Sequence, residues 1–386
     1  DAAFANGTFA HSLDFDDTHL GSSLHPAAPT VAAALAAAEA TDASVERFYD
    51  AVAAGYDVAC TVGELVGPDA HYARGFHITA TCGTFGAVAA AGVAGGLTEA
   101  ALRDAFGIAG SQAAGSIQFL ENGAWNKRLH PGLAARRGIE ATTLAAAGVV
   151  GAEAPIDGEY GFLAGYTPDP DHAAIDRLET RDAVAETGLK PYPCCRYLHA
   201  AIDGLRELAP SVETRAVSAV EMAVPSPGVR LTGDPIEAKR RPQSFVDCQF
   251  SAPFVAALTL ETGTADATTF LDAVGQGDGP PRWGTTTTRR LMDATSVTTD
   301  EAIERRFPEE WGARVSVQAD GETHSATVRI PAGEPGSPLT DGEVKAKTAA
   351  LLRDSGVDPD RLSTTLLERE PRSVAAIVDA ATSDGG

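Results

Sequence analysis

The chain has 386 residues, of which 44% are hydrophobic and 22% charged; 30 Lys and Arg stand against 53 Asp and Glu, for a formal net charge of −23. The apolar share is enough for a large buried core and excludes a disordered or collagen-like chain. So acidic a surface repels nucleic acid and anionic membranes but leaves room for a locally basic pocket.

An Ala-rich helix is predicted at about 27–41. From Val45, apolar residues recur at Phe48, Val52, Ala59, Val62 and Val66, the spacing of a helix with one buried stripe. Ser44 or Asp42 can cap its start, and Gly67-Pro68 ends it. Further helices are predicted at about 82–95, 98–117 and 131–150, with Ala and Gly faces that allow close approach. The pattern changes after about residue 185. Val220, Met222 and Val224 alternate as on a strand, and Phe250 to Leu260 reads as a helix. Val315, Val317 and Ala319 alternate, Asp320-Gly321 suits a type I′ turn, and Ala326, Val328 and Ile330 alternate again, which predicts a hairpin. Beyond the Gly/Pro-rich stretch Ala332–Pro338, helices return at about 341–354 and 372–381. The chain therefore reads as mainly α. A large all-helical domain (1–185) is interrupted by a smaller α+β domain (186–334), and residues 335–386 return to the helical domain.

No apolar run of ~20 residues, secretory leader or lipidation signal is present, and the expectation is a cytoplasmic protein. Five cysteines (Cys60, Cys82, Cys194, Cys195, Cys248) form no C-x-x-C pair, which fits a reduced compartment and offers no cysteine metal site. Lysine is scarce, at positions 127, 190, 239, 345 and 347 only. Excess carboxylate with few lysines predicts adaptation to high salt.

Four segments could carry chemistry. His11, Asp14, Asp16, Asp17, Thr18, His19 and His25 crowd the start of the chain. Asp and His in that density suit a metal site, or acid–base chemistry with a carboxylate orienting an imidazole, or simply a capped, solvated loop. Gly75-Phe76-His77, followed by Thr81, Gly83 and Thr84, precedes an Ala/Gly helix whose free N–H groups favour an anion. Lys127, beside Arg128, is the only lysine in the first 189 residues and sits before another predicted helix start. Lys190 falls where the helical pattern stops, within Lys190-Pro-Tyr-Pro-Cys-Cys-Arg-Tyr-Leu-His199.

Together these segments resemble the MmgE/PrpD family, which includes 2-methylcitrate dehydratases, iminodisuccinate epimerases and cis-aconitate decarboxylases. The likeness is carried by Asn6-Gly7, His11-x-Leu-Asp14-Phe-Asp16-Asp17-Thr18, His25-Pro26, Gly75-Phe76-His77, Lys127-x-Leu129-His130-x-Gly132, Lys190-Pro-Tyr-Pro and Asp247-Cys-Gln-Phe-Ser251. It implies a helical domain with an inserted α+β lid, a homodimer, and neither metal nor organic cofactor. The substrate implied is a small di- or tricarboxylate. Carried over by motif, His25 and His77 would be the acid–base pair, with Asp14 orienting His25 or its neighbour and Thr18 bonding a substrate oxygen. Lys127 and Lys190 would bind carboxylate; Arg128, which is no part of the motif, is added as a helper for its charge beside Lys127. The favoured activity is dehydration of a citrate-like tricarboxylate such as 2-methylcitrate. The alternatives are epimerisation of a dicarboxylate, decarboxylation of cis-aconitate, or a non-catalytic interaction role. The decarboxylase branch has a histidine five residues after the lysine that Lys190 matches; here that residue is Cys195. Family chains also carry helices ahead of the Asn-Gly motif, and this chain opens at Asp1, so a preceding segment is expected.

Overall fold

The computed structural model describes residues 1–274, 286–367 and 373–382. The chain divides into two compact units, Asp1–Gly188 with Leu352–Gly386, and Leu189–Leu351. It is mainly α, with small sheets. Among the described residues, no helix is long and apolar enough to cross a membrane.

The first unit contains helices α1 (Ala2–Ala10), α2 (Ala27–Thr41), α3 (Val45–Leu65), α4 (Pro68–Ala73), α5 (Ile78–Ala94), α6 (Glu99–Gly110), α7 (Asn126–Ala146) and α8 (Phe162–Tyr166). α5 packs against α2, α3, α6 and α7, and every residue from Ile78 to Gly92 is buried. Its Ala, Gly and Thr side chains make this possible. A Cβ on Gly86 would lie 2.6 Å from Ala59 Cβ and 2.7 Å from the Gly55 carbonyl oxygen, so the α5 and α3 backbones are in near contact. Ser44 caps α3, its hydroxyl accepting from Arg47 N at 3.2 Å.

Two helix starts differ from the sequence pattern in ways that matter for chemistry. α5 begins at Ile78 rather than near 82, with His77 as the capping residue. The β-branched Ile78 and Thr79 read as loop in isolation, but burial outweighs propensity. α7 begins at Asn126, not at 131. Pro131 suits a first helical position, but here the turn before it is closed by Arg128 N and Leu129 N on the Trp125 carbonyl, at 3.0 and 3.3 Å. Lys127 and Arg128 thus lie in the first turn of α7 instead of ahead of it. α6 ends at Gly110, short of the expected 117.

Helix α1 packs on α7 and α2. A Cβ on Gly132 would stand 2.2 Å from Thr8 Oγ1 and 2.3 Å from the Phe4 carbonyl oxygen. Only glycine allows this approach. The helix expected at 372–381 runs from Val374 to Ala380, residue 372 lying outside the described residues; Val374 and Ile377 pack in the core with Ala33, Ala34 and Ala37 of α2.

Short strands β1 (Asp17–His19) and β2 (Thr187–Leu189) precede the second unit's main sheet, formed by β3 (Val217–Ala223), β4 (Thr295–Thr298), β5 (Ala313–Ala319) and β6 (Glu322–Val328) in the order β4-β3-β5-β6. β3 runs parallel to β4, with Val220 opposite Thr295, and antiparallel to β5, with Val220 opposite Val317. Asp320 and Gly321 both adopt positive φ (53° and 81°), as a type I′ turn between β5 and β6 requires. α9 (His199–Leu208) packs on β5 and β6, and the helix Ala252–Thr262, capped by Ser251, is buried along most of its length. The four-residue strand β4 is too short for alternation to announce it.

Candidate active site

Three parts of the first unit converge: the segment after α1, the start of α5 and the first turns of α7. A turn closes after α1, with Asp14 N donating to the His11 carbonyl at 3.1 Å. Asp14 then takes φ 50°, a left-handed conformation that aspartate tolerates better than most residues. Its Oδ1 accepts from Lys127 Nζ at 2.7 Å. Lys127 Nζ also lies 3.1 Å from His11 Nε2, and His11 Nδ1 lies 2.6 Å from Asp16 Oδ2. An ionised carboxylate only accepts, so His11 carries its proton on Nδ1 and turns the Nε2 lone pair to the ammonium. The order Asp16–His11–Lys127–Asp14 is therefore a charge-assisted chain in which each donor has a defined acceptor. His11 is buried and its pKa is lowered, by burial first and by Lys127, against the opposing pull of Asp16.

The three early aspartates have separate tasks. Asp14 and Asp16 belong to the chain just described. Asp17 accepts from Tyr56 Oη at 2.7 Å and from Ala27 N at 3.1 Å, which fixes the start of α2. Its backbone carbonyl lies 2.6 Å from His25 Nδ1, and Thr18 Oγ1 lies 3.3 Å from the same nitrogen. Asp16 Oδ1 stands 4.0 Å from the same nitrogen, while Asp14 Oδ1 faces Lys127. Thr79 Oγ1 of α5 accepts from His25 N at 3.3 Å.

The imidazoles form a row. Ring centroids are 4.8 Å apart for His11 and His25, 6.3 Å for His11 and His77, and 5.0 Å for His77 and His130. His77 Nδ1 is 2.8 Å from His130 Nδ1, and the Phe119 ring meets both imidazoles edge-on. His77 is held well below the usual histidine pKa, by burial first and then by His130, Lys127, His11 and His25. Burial, with smaller contributions from His11, Arg137 and Lys127, brings His130 down to about 4. At neutral pH, His11, His77 and His130 are therefore uncharged, and the two that face each other can accept or relay a proton.

His11, Asp14, Asp16 and His25 each offer a ligand atom within 4.8 Å of the others, a spacing a metal ion could use. Two of the four, His11 and Asp14, already present atoms to the Lys127 ammonium. A divalent cation would meet a fixed positive charge there, and the donor set is better matched to the lysine it holds.

The other expected residues have the following surroundings. The Arg128 guanidinium stacks over the Trp125 ring, 5.1 Å from its centroid. Lys190 belongs to the second unit, where its side chain is buried and its carbonyl accepts from Lys347 Nζ at 2.9 Å. In the same unit Arg196 pairs with buried Glu334 and lies 2.7 Å from His199 Nδ1. His19 joins a separate cluster with Arg181, Glu64, Glu186 and Ser22. Sequence reasoning left His11, Asp16 and His130 out of the site. Lys127 and His130 stand three residues apart on one face of α7, a signal that becomes visible only once the helix is started at Asn126.

A helical unit with a lysine-anchored row of imidazoles and a separate α+β unit define the class. The MmgE/PrpD N-terminal domain matches residues 1–175, and the MmgE/PrpD C-terminal domain matches residues 192–368. The chain belongs to the MmgE/PrpD family. A cis-aconitate decarboxylase-like protein of Aspergillus oryzae, oryM, is 27% identical over 94% of this chain and 77% of its own length. Human cis-aconitate decarboxylase is 37% identical over 43% of the chain and 34% of its own length; the mouse protein is 28% identical over 70% and 56%. The chain thus spans only a third to about half of the two mammalian relatives.

Proposed function

We propose that the protein is a cofactor-independent lyase that removes a proton next to a carboxylate, and that it dehydrates a citrate-like tricarboxylate such as 2-methylcitrate. The observation that carries the reading is the Lys127 ammonium, fixed between His11 Nε2 and Asp14 Oδ1 near the facing imidazoles of His77 and His130, both held below the usual histidine pKa by burial. A carbon acid flanked by carboxylates needs a cation to stabilise the enolate-like charge and a base that is unprotonated at working pH. Lys127 supplies the first and His77 the second. The base takes the proton, and the C–H electron pair stays on the substrate as the enolate. The hydroxyl then leaves as water once protonated, with His25 as the donor and Thr18 bonding a substrate oxygen. Lys190 is assigned a second carboxylate on the motif likeness alone.

A second reading, decarboxylation of cis-aconitate, draws support from the names of the relatives. There, loss of carbon dioxide leaves the carbanion and the site need only return a proton. Cys195, standing where the decarboxylase branch has histidine, favours dehydration. Incubation in high salt with 2-methylcitrate, citrate and cis-aconitate in D₂O, followed by proton NMR, tests the choice. New alkene signals from a hydroxy acid are expected. Dissolved carbon dioxide would replace the reading with decarboxylation, deuterium wash-in at a retained stereocentre with epimerisation, and no change in any acid would overturn it.

A further inference from the structure

The contact between His77 and His130 joins the same nitrogen of each ring, Nδ1 to Nδ1, at 2.8 Å. Two lone pairs cannot face each other at that distance, and two hydrogens do not fit. One hydrogen lies between the rings, which forces opposite tautomers on the two residues. Both side chains are buried, Phe119 closes over both, and a Cβ on Gly115 would come within 3.6 Å of His130 Nδ1. The rings therefore have little room to turn away from each other. The charged and titratable groups acting on the pair are Lys127 and Arg137 on α7, and His11 and His25 from the N-terminal segment.

We propose that His77 and His130 act as a single proton-holding pair, with His130 the positioning residue that sets which nitrogen of His77 meets the substrate as a base. The catalytic half of this inference rests on the reading of His77 given above. With His77 donating from Nδ1, its Nε2 carries a lone pair. When Nε2 takes the substrate proton, the C–H bond breaks and its electron pair remains on carbon. The Nδ1 proton of His77 then crosses to His130 Nδ1. His77 is left neutral and protonated on Nε2, and the positive charge rests on His130. Once the abstracted proton has left Nε2 for solvent, return of the Nδ1 proton from His130 resets the pair. The proton taken from the substrate is thereby held by two hydrogen-bonded rings instead of one.

The test begins without substrate. In ¹⁵N-histidine-labelled protein, long-range proton–nitrogen NMR should show opposite tautomers for His77 and His130, and on acidification both rings should report the same first midpoint, because that proton belongs to the pair. In His130→Asn and His130→Leu, His77 should titrate alone. Two like tautomers, or separate first midpoints in the wild type, would overturn the proposal whatever the enzyme acts on. Turnover supplies the second arm. His130→Leu removes the acceptor for a charge-assisted bond and should lower kcat by about 10- to 150-fold with KM within twofold. His130→Asn, whose amide oxygen can accept from His77 Nδ1 but cannot take up the proton, should recover only part of that loss; full recovery would leave His130 an orienting role and overturn the proton transfer. Unchanged kcat in His130→Leu, or equal losses in both variants with KM rising alongside, would reduce His130 to packing. A wild type inactive on every carboxylate tried, yet with opposite tautomers and a shared first midpoint, would sink the functional reading and leave the proton-holding pair standing.

Discussion

Lys127 carries the most weight of any single residue in the candidate site. Its ammonium sits between a nitrogen and a carboxylate oxygen, a geometry that fits a compact point charge and not a planar fork. Lys127→Ala should lower kcat/KM at least tenfold, since a charge-assisted bond is worth ~1.5–3 kcal/mol. Lys127→Arg should fail to restore full activity, while both variants keep the wild-type circular dichroism spectrum. Near-normal turnover by Lys127→Ala would remove the residue from the site. The same ammonium argues for metal independence, so activity should be unchanged by EDTA; loss restored by Mn²⁺ or Zn²⁺ would place an ion among His11, Asp14, Asp16 and His25. Lys127 was legible in the sequence through its rarity, and His77 through its place before an Ala/Gly helix. The partners of Lys127 were not. His11 and Asp14 lie 116 and 113 residues away along the chain, a separation that no local pattern encodes. Asp14, Asp16 and Asp17 look equivalent in sequence, and only the fold turns the third towards Tyr56 and the start of α2.

Helix packing decides whether those residues meet at all. α1 delivers His11 and α7 delivers Lys127, and the two helices cross at Gly132 with no space for a methyl group. Gly132→Ala should cost about 1–3 kcal/mol of stability through overpacking and lower turnover by separating the two halves of the site. Gly165→Ala, where a Cβ meets nothing within 4 Å, is the control and should be near neutral. Denaturant midpoints of the two variants decide the matter; equal midpoints would argue against a tight crossing. At this scale the interior of the fold was legible: α2, α3, the β5–β6 hairpin and the buried helix after Ser251 all follow from periodicity, caps and turn residues. Helix starts were not. Pro131 signals a beginning by local rules, and the turn ahead of it forms because Trp125 accepts two backbone N–H groups there. α1 was missed because its sequence has no amphipathic stripe to detect.

For the molecule as a whole, charge and burial set the conditions of stability. A net charge of −23 is strongly self-repelling without screening. The melting temperature should rise steeply between low and molar KCl, and a flat response would count against salt adaptation. Acid should act through the histidines. His71 and His130 are brought down to about 4, and His11, His19 and His77 are also lowered, in each case by burial first. The unfolded chain binds these protons near pH 6.5 while the folded protein still refuses them. Stability is therefore complete above pH 6.5 and declines towards pH 4, by up to ~1.4 kcal/mol per pH unit for each group. Melting temperatures at fixed molar salt from pH 7.5 to 4.5 should trace that decline, and a constant value would contradict it. Sedimentation at the same salt would test the expected homodimer. One further consequence follows from α5, buried from Ile78 to Gly92. Such a segment has no solvent-facing side from which to fray, so its amides can meet water only when α2, α3, α6 and α7 come apart together. Deuterium should enter those peptide groups last of all, at the rate of global opening. His77, the residue from which that helix starts, is then fixed to the slowest-breathing part of the first unit.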